Sequence, residues 1–183
     1  IDGAEEAQII ASTDISNLIQ HNKNYLYIDV GGGSTEFTVF SKGKVKKARS
    51  FPIGTVRLLD NKVSDETLQE VEQWIKKHTK GCDHIEAIGS GGNINKIHKN
   101  SNSKEGDPLS YQYLVDYYDY VSGFTYEERI RLLGFNPDRA DVILYALGIF
   151  INAMKWSGAE IVHVPRIGLA DGIVRTIYNE KFS

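Results

Sequence analysis

Hydrophobic positions change period along this chain, and each change predicts an element. Tyr25 to Val30 is a compact run of β-favouring residues that stops at Gly31-Gly32-Gly33. Thr35, Phe37 and Val39 then alternate with Glu36, Thr38 and Phe40 as a second strand. Ser41-Lys42-Gly43-Lys44 has the chemistry of a hairpin turn, and Val45 to Ile53 reads as a third strand, so an antiparallel meander is expected over 25–53. Beyond it the period lengthens. Ser64 supplies an N-cap with Asp65 and Glu66 in the first turn, and Leu68, Val71, Trp74, Ile75 and His78 share one helical face.

The later pattern alternates short strands with helices. A strand over Ile85 to Ile88 runs into Gly89-Ser90-Gly91-Gly92 and a helix over 93–99. Residues 100–108, rich in Ser, Asn, Gly, Asp and Pro, read as a mobile loop. Helices follow over 111–120, 125–133 and 138–157, then a strand over 161–164 and a closing helix over 170–178. Upstream of the meander, 5–13 is helix-compatible, and 14–20 extends or follows it. The order βββ, α, β, α, α, α, α, β, α predicts an α/β layer fold rather than a helical bundle.

Composition narrows what this fold does. A length of 183 residues fits one ordinary domain, which at this size buries roughly 70% of its unfolded-chain surface. The net charge of −3 gives no electrostatic case for nucleic acid. A single cysteine, Cys82, excludes an internal disulfide framework and fits a reducing compartment. The longest apolar stretch, Val142 to Met154, is interrupted by Asn152 and is too short to span a bilayer, so no membrane partner is expected. The start at Ile1 lacks a methionine and a basic leader, and reads as a chain cut from something longer. Of the 17 glycines, Gly31, Gly32, Gly33, Gly89, Gly91 and Gly92 form two clusters.

The first cluster is the strongest chemical signal. Three consecutive glycines between two strands let backbone N–H groups converge on an anion with no Cβ in the way. Asp29 stands just before the turn, where a carboxylate can hold a cation or a water. Ser34 and Thr35 bring hydroxyls, and the charge of Glu36 is tolerable beside phosphate if a divalent cation or water stands between them. The second cluster, Gly89-Ser90-Gly91-Gly92, joins a strand to a helix. That suits a phosphate or nucleotide edge, and equally suits tight strand–helix packing. Arg57 follows the third strand and can meet a phosphate or a surface acid. Glu5 and Glu6 by themselves read as first-turn acids that complement a helix dipole. The five histidines show no metal-ligand spacing, which argues against zinc.

Four segments together resemble the exopolyphosphatase / guanosine pentaphosphate phosphatase family, within the actin-like ATPase superfamily. They are Gly3-Ala-Glu-Glu-Ala7, Ile28-Asp-Val-Gly-Gly-Gly-Ser-Thr-Glu36, Ser50-Phe-Pro-Ile-Gly-Thr-Val-Arg57 and Gly168-Leu-Ala-Asp-Gly-Ile173. Gly89 to Gly92 and Arg139-Ala-Asp-Val-Ile143 are similar to later motifs of the family. The resemblance implies an actin-like (ribonuclease H-like) α/β domain with a mixed sheet in βββαβα-type order flanked by helices. It further implies a cytoplasmic phosphoanhydride hydrolase that takes polyphosphate or guanosine pentaphosphate with Mg²⁺. On it, Glu6 is the catalytic base, Gly31, Gly32, Gly33 and Ser34 with Arg57 bind phosphate, and Asp29 and Glu36 serve the metal and attacking water. Gly89, Ser90, Gly91 and Gly92 take the nucleotide side, although Asn93 stands where the family commonly has Thr.

Family members begin with another actin-like domain that carries its own phosphate loop. Residues 1–183 are therefore expected to be the second domain of a longer enzyme, holding one wall of an interdomain site and having little activity alone. A homodimer is admitted as a further association. The alternative is a non-enzymatic module that binds phosphate or guanosine penta- or tetraphosphate through the same loops.

Overall fold

The computed structural model describes residues 18–104 and 106–165. Within them β1 (Asn24–Val30), β2 (Thr35–Ser41) and β3 (Lys44–Phe51) form the expected meander. Its β2–β3 turn places Lys42 at φ 53° and Gly43 at φ 74°, the left-handed pair that matches the right-handed twist of a two-residue hairpin. The remaining elements are α1 (Thr55–Leu59), α2 (Asp65–Thr79), β4 (Ile85–Ser90), α3 (Gly92–Asn100), β5 (Leu109–Ser110) and α4 (Tyr111–Ser122). They continue with α5 (Tyr126–Arg131), α6 (Pro137–Ala140), α7 (Ile143–Ser157) and β6 (Ile161–His163).

The strands make one six-stranded mixed sheet in the order β3-β2-β1-β4-β6-β5. Antiparallel pairing joins β1 to β2 and β2 to β3, while β4 lies parallel to both β1 and β6. Alternation along β1 sorts the two faces. Leu26, Ile28 and Val30 enter the main core with Phe37 and Val39 of β2, against Val71, Trp74 and Ile75 of α2 and Ala146, Phe150, Ala153 and Met154 of α7. Tyr25 and Tyr27 point to the opposite face, where they cluster with Phe40 and Ile88. Phe37, Phe51 and Trp74 pack edge-on or tilted in the main core, with ring centroids 5.8–6.4 Å apart.

Helix ends follow local chemistry. Ser64 accepts the amide of Thr67 to cap α2, and Thr125 and Glu128 form a reciprocal capping box on α5. Three expectations are corrected. The helix expected over 138–157 is divided, because the Val142 amide bonds back to Arg139 and closes α6 in a tight turn before α7 begins. The third strand ends at Phe51 rather than Ile53, and the chain then turns into α1, which the hydrophobic pattern does not announce. The two-residue β5 is also new, formed by pairing Leu109 with Val162 and Ser110 with Ile161. The helices expected over 5–13 and 170–178 lie outside the described residues. Among the described residues no helix is long and apolar enough to cross a membrane.

A polar clamp sits on the β1–β4–β6 part of the sheet. Glu86 of β4 accepts Lys23 Nζ on Oε1 at 2.6 Å and pairs through Oε2 with His163 Nε2 at 2.7 Å. Burial would raise the Glu86 carboxyl, but the bonds from Lys23 and His163 outweigh it and hold the group below its ordinary value of 4.5. A lowered native pKa stabilises the fold above that ordinary value, and the contribution disappears as the pH falls through the native one. Denaturant titrations should show Glu86→Gln less stable than wild type at neutral pH, with the gap closing in acid. A gap that stays constant across that range contradicts the clamp. Phe150→Ala, which empties a fully buried site, should cost about 3–5 kcal/mol in the same assay. A loss below about 1 kcal/mol would mean that the core collapses around the deletion.

Candidate functional site

The site grows from the register of four strands. Glu36 is the cross-strand partner of Asp29 and of Ser50, and Asp29 is also the partner of Ser90. Ser50, Glu36, Asp29 and Ser90 therefore form one row on one face, at the carboxyl ends of β1 and β4, where open α/β sheets bind ligands. Beneath the row Tyr27 donates its hydroxyl to Asp29 Oδ2 at 3.4 Å. Burial first, and the neighbouring Asp29 charge second, push the Tyr27 phenol far above its ordinary value, so it stays a neutral donor.

Glu36 is held from two directions. Ser34 Oγ donates to its Oε1 at 2.6 Å, and Ser50 Oγ donates to the same atom at 2.7 Å. In this arrangement the Ser34 hydroxyl hydrogen serves Glu36 rather than pointing at an anion. Thr35, also considered as a hydroxyl donor, is fully buried and donates to the Ile53 carbonyl at 2.5 Å.

The glycine loop is fixed by its carbonyls. The Gly31 amide bonds the Ser34 carbonyl, and the Gly31 and Gly32 carbonyls accept the amides of Thr55, Val56 and Arg57 at 2.9–3.3 Å. The first amides of α1, which a helix end leaves without intrahelical partners, are thus satisfied by the loop. This contact needs Gly54: a Cβ there would stand 2.2 Å from the Gly32 carbonyl oxygen. Gly32 and Gly33 are exposed, and their amides donate to no described residue. Arg57 is exposed beside them and makes no ion pair with a described residue, so the surface-acid alternative finds no support.

The second glycine cluster serves several ends. A Cβ on Gly89 would press on Phe150, Val162 and Ile94 at 3.0–3.2 Å, which is the packing explanation. Gly91 adopts φ 109°, and a Cβ there would stand 2.8 Å from the Val30 carbonyl and 3.6 Å from Asp29 Oδ1. The start of α3 is thereby set against the end of β1, and the two glycine clusters flank Asp29. The Gly92 carbonyl accepts the Arg139 guanidinium. Glu6 and the segment Gly168 to Ile173 lie outside the described residues.

Among the described residues the candidate metal donors near the loop are oxygens: Asp29 and Glu36 face one another across β1 and β2. Among the described residues no group of three or more His, Cys, Asp or Glu gathers as a metal cluster. Mg²⁺ does not require one, since it is commonly held by one or two carboxylates, waters and the substrate's own phosphates. The residues present fit that ion.

Residues 1–180 match the model of the Ppx/GppA phosphatase family. The chain belongs to this family. A bifunctional 3-dehydroquinate synthase/phosphatase of Fusobacterium nucleatum is 29% identical over 195 aligned residues, covering 90% of this chain and 28% of that protein. The crystal structure of the Aquifex aeolicus Ppx/GppA family member matches with a TM-score of 0.76 and 22% identity, over 100% of this chain and 65% of that one. An exopolyphosphatase from Cytophaga hutchinsonii matches with a TM-score of 0.78 and 20% identity, over 98% and 65%. These structures share the actin-like α/β fold. The chain thus spans just under two thirds of these solved relatives and little more than a quarter of the Fusobacterium protein.

The loop seam gives a paired prediction. Gly54→Ala should destabilise by about 1–3 kcal/mol through forced backbone displacement. Gly33→Ala, with no described residue within 4 Å of the new methyl, should leave the melting temperature nearly unchanged. Equal effects of the two substitutions would refute the close approach at Gly54.

Proposed function

We propose that this chain is the second domain of a phosphoanhydride hydrolase that releases terminal phosphate from polyphosphate or guanosine pentaphosphate. The observation that carries the reading is the loop itself. With its carbonyls bonded to α1, the loop leaves the amides of Gly32 and Gly33, which donate to no described residue, available to a phosphate beside Arg57 and the Asp29–Glu36 pair. Membership of the Ppx/GppA phosphatase family supports the reaction class.

In this mechanism loop amides and Arg57 orient the terminal phosphate and offset the charge that develops on its oxygens. Asp29 and Glu36 would hold Mg²⁺, which when bound supplies further charge neutralisation. Glu6 takes a proton from water as its oxygen bonds to the terminal phosphorus. The bridging P–O bond breaks and its electrons leave with the shortened chain. Ser90 and Gly91 border Asp29 and fit the nucleotide side of the site. A preceding domain of the same protein would supply the opposite wall, so 1–183 alone should release little or no phosphate. The enzyme is taken to work in the cytoplasm.

The test is phosphate release from polyphosphate and from guanosine pentaphosphate by the full-length protein carrying this chain. Glu6→Gln should lower kcat by about 10²-fold or more with the substrate still bound. Unchanged turnover in the variant removes Glu6 from the mechanism. Binding of guanosine pentaphosphate without turnover in the wild type would instead establish the non-enzymatic module.

A further inference from the structure

Ser50 stands out on its strand. β3 is the edge of the sheet and reads Lys-Val-Lys-Lys-Ala-Arg-Ser-Phe, with its first four residues exposed, yet Ser50 is half-buried and turned toward Glu36. A serine hydroxyl has one hydrogen to give. Ser34 and Ser50 each give theirs to Oε1 of the same carboxylate, and Oε2 accepts from no described residue. The carboxylate is therefore anchored through one oxygen and presents the other.

The two anchors differ in kind. Ser34 belongs to the phosphate loop, whereas Ser50 sits within a strand paired residue by residue to β2. An anion in the loop competes for the Ser34 hydrogen, because its oxygens are acceptors within the same short segment. With Ser34 as the sole tether, that exchange would release Glu36 at the moment a cation needs it. A second donor on a rigid neighbouring strand prevents this. We propose that Ser50 is a positioning residue: it keeps Glu36 aimed while Ser34 is handed to the bound phosphate. The inference rests on the reading of Glu36 as a metal ligand and assigns a new residue to it.

The experiment measures Mn²⁺ binding to the full-length protein by electron paramagnetic resonance, with inorganic phosphate present and absent. Outer-shell donors to metal ligands are worth about 10–100-fold in affinity. Ser50→Ala should therefore weaken Mn²⁺ binding about tenfold or more, and more with phosphate present than without it. Ser50→Thr, which keeps the hydroxyl, should restore binding to near the wild-type value. Thermal melts separate this from loss of folding, and comparing Ser50→Thr with the isosteric Ser50→Val carries the same contrast should Ser50→Ala fail to fold. Wild-type affinity in Ser50→Ala or Ser50→Val, with binding lost in Glu36→Gln, overturns the role of Ser50. So does a Ser50→Thr variant that folds but binds as weakly as Ser50→Val. Wild-type affinity in Glu36→Gln overturns the metal reading of Glu36, and this inference falls with it.

Discussion

The bonds from the first amides of α1 to the carbonyls of Gly31 and Gly32 are the seam around which the domain is arranged. Each side solves the other's difficulty. A helix start carries N–H groups without intrahelical acceptors, and a glycine turn carries carbonyls without a ladder partner. Joining them satisfies both and sets the direction of the loop backbone. The approach is so close that Gly54 must lack a side chain, although its φ of −121° is open to any residue. The requirement is therefore steric rather than conformational. Its consequence is chemical: the amides at the N-terminus of α1 are used internally, and the donors that remain are those of the loop.

The sheet supplies the second constraint. Antiparallel pairing of β1 with β2 and parallel pairing with β4 put Asp29 between Glu36 and Ser90, and the β2–β3 pair adds Ser50. A slip of one residue would turn Asp29 into the apolar core and Val30 onto the polar row. The buried side of β1, packed on α7, makes that slip costly. The core on one face of β1 thus fixes the position of the carboxylates on the other.

How much of this was legible in the sequence depends on how local its cause is. The meander, the Ser64 cap and β4 were readable because alternation, turn residues and caps act over a few positions. Helix α1 was not, since its five residues carry little periodicity and its first amides find their partners in the glycine loop. β5 exists only through its pairing with β6. In the site, clustering alone exposed Asp29, the three glycines and Glu36. Ser50 and Gly54 were visible as part of a motif, but their tasks depend on partners 14 and 22 positions earlier in the chain, Glu36 and Gly32, which only the register and the seam bring near. Arg57 illustrates the reverse case: the sequence left its partner open, and among the described residues no acid pairs with it.

On the proposed reading the site contains an internal conflict that explains its composition. Asp29 and Glu36 repel the phosphate that the loop amides and Arg57 attract. At a separation of 4 Å and an effective dielectric of about 20, one such repulsion is about 4 kcal/mol, comparable to what several good hydrogen bonds contribute. Loop amides alone therefore hold an anion weakly beside two carboxylates, and the carboxylates alone hold a cation with no phosphate to complete its shell. Cation and phosphate together remove both penalties, so their binding is mutually reinforcing. A site of this kind selects phosphate accompanied by its metal over free anion. It also demands that the carboxylates keep their orientation as the loop engages, which makes an anchor outside the loop a functional requirement rather than an ornament of the sheet.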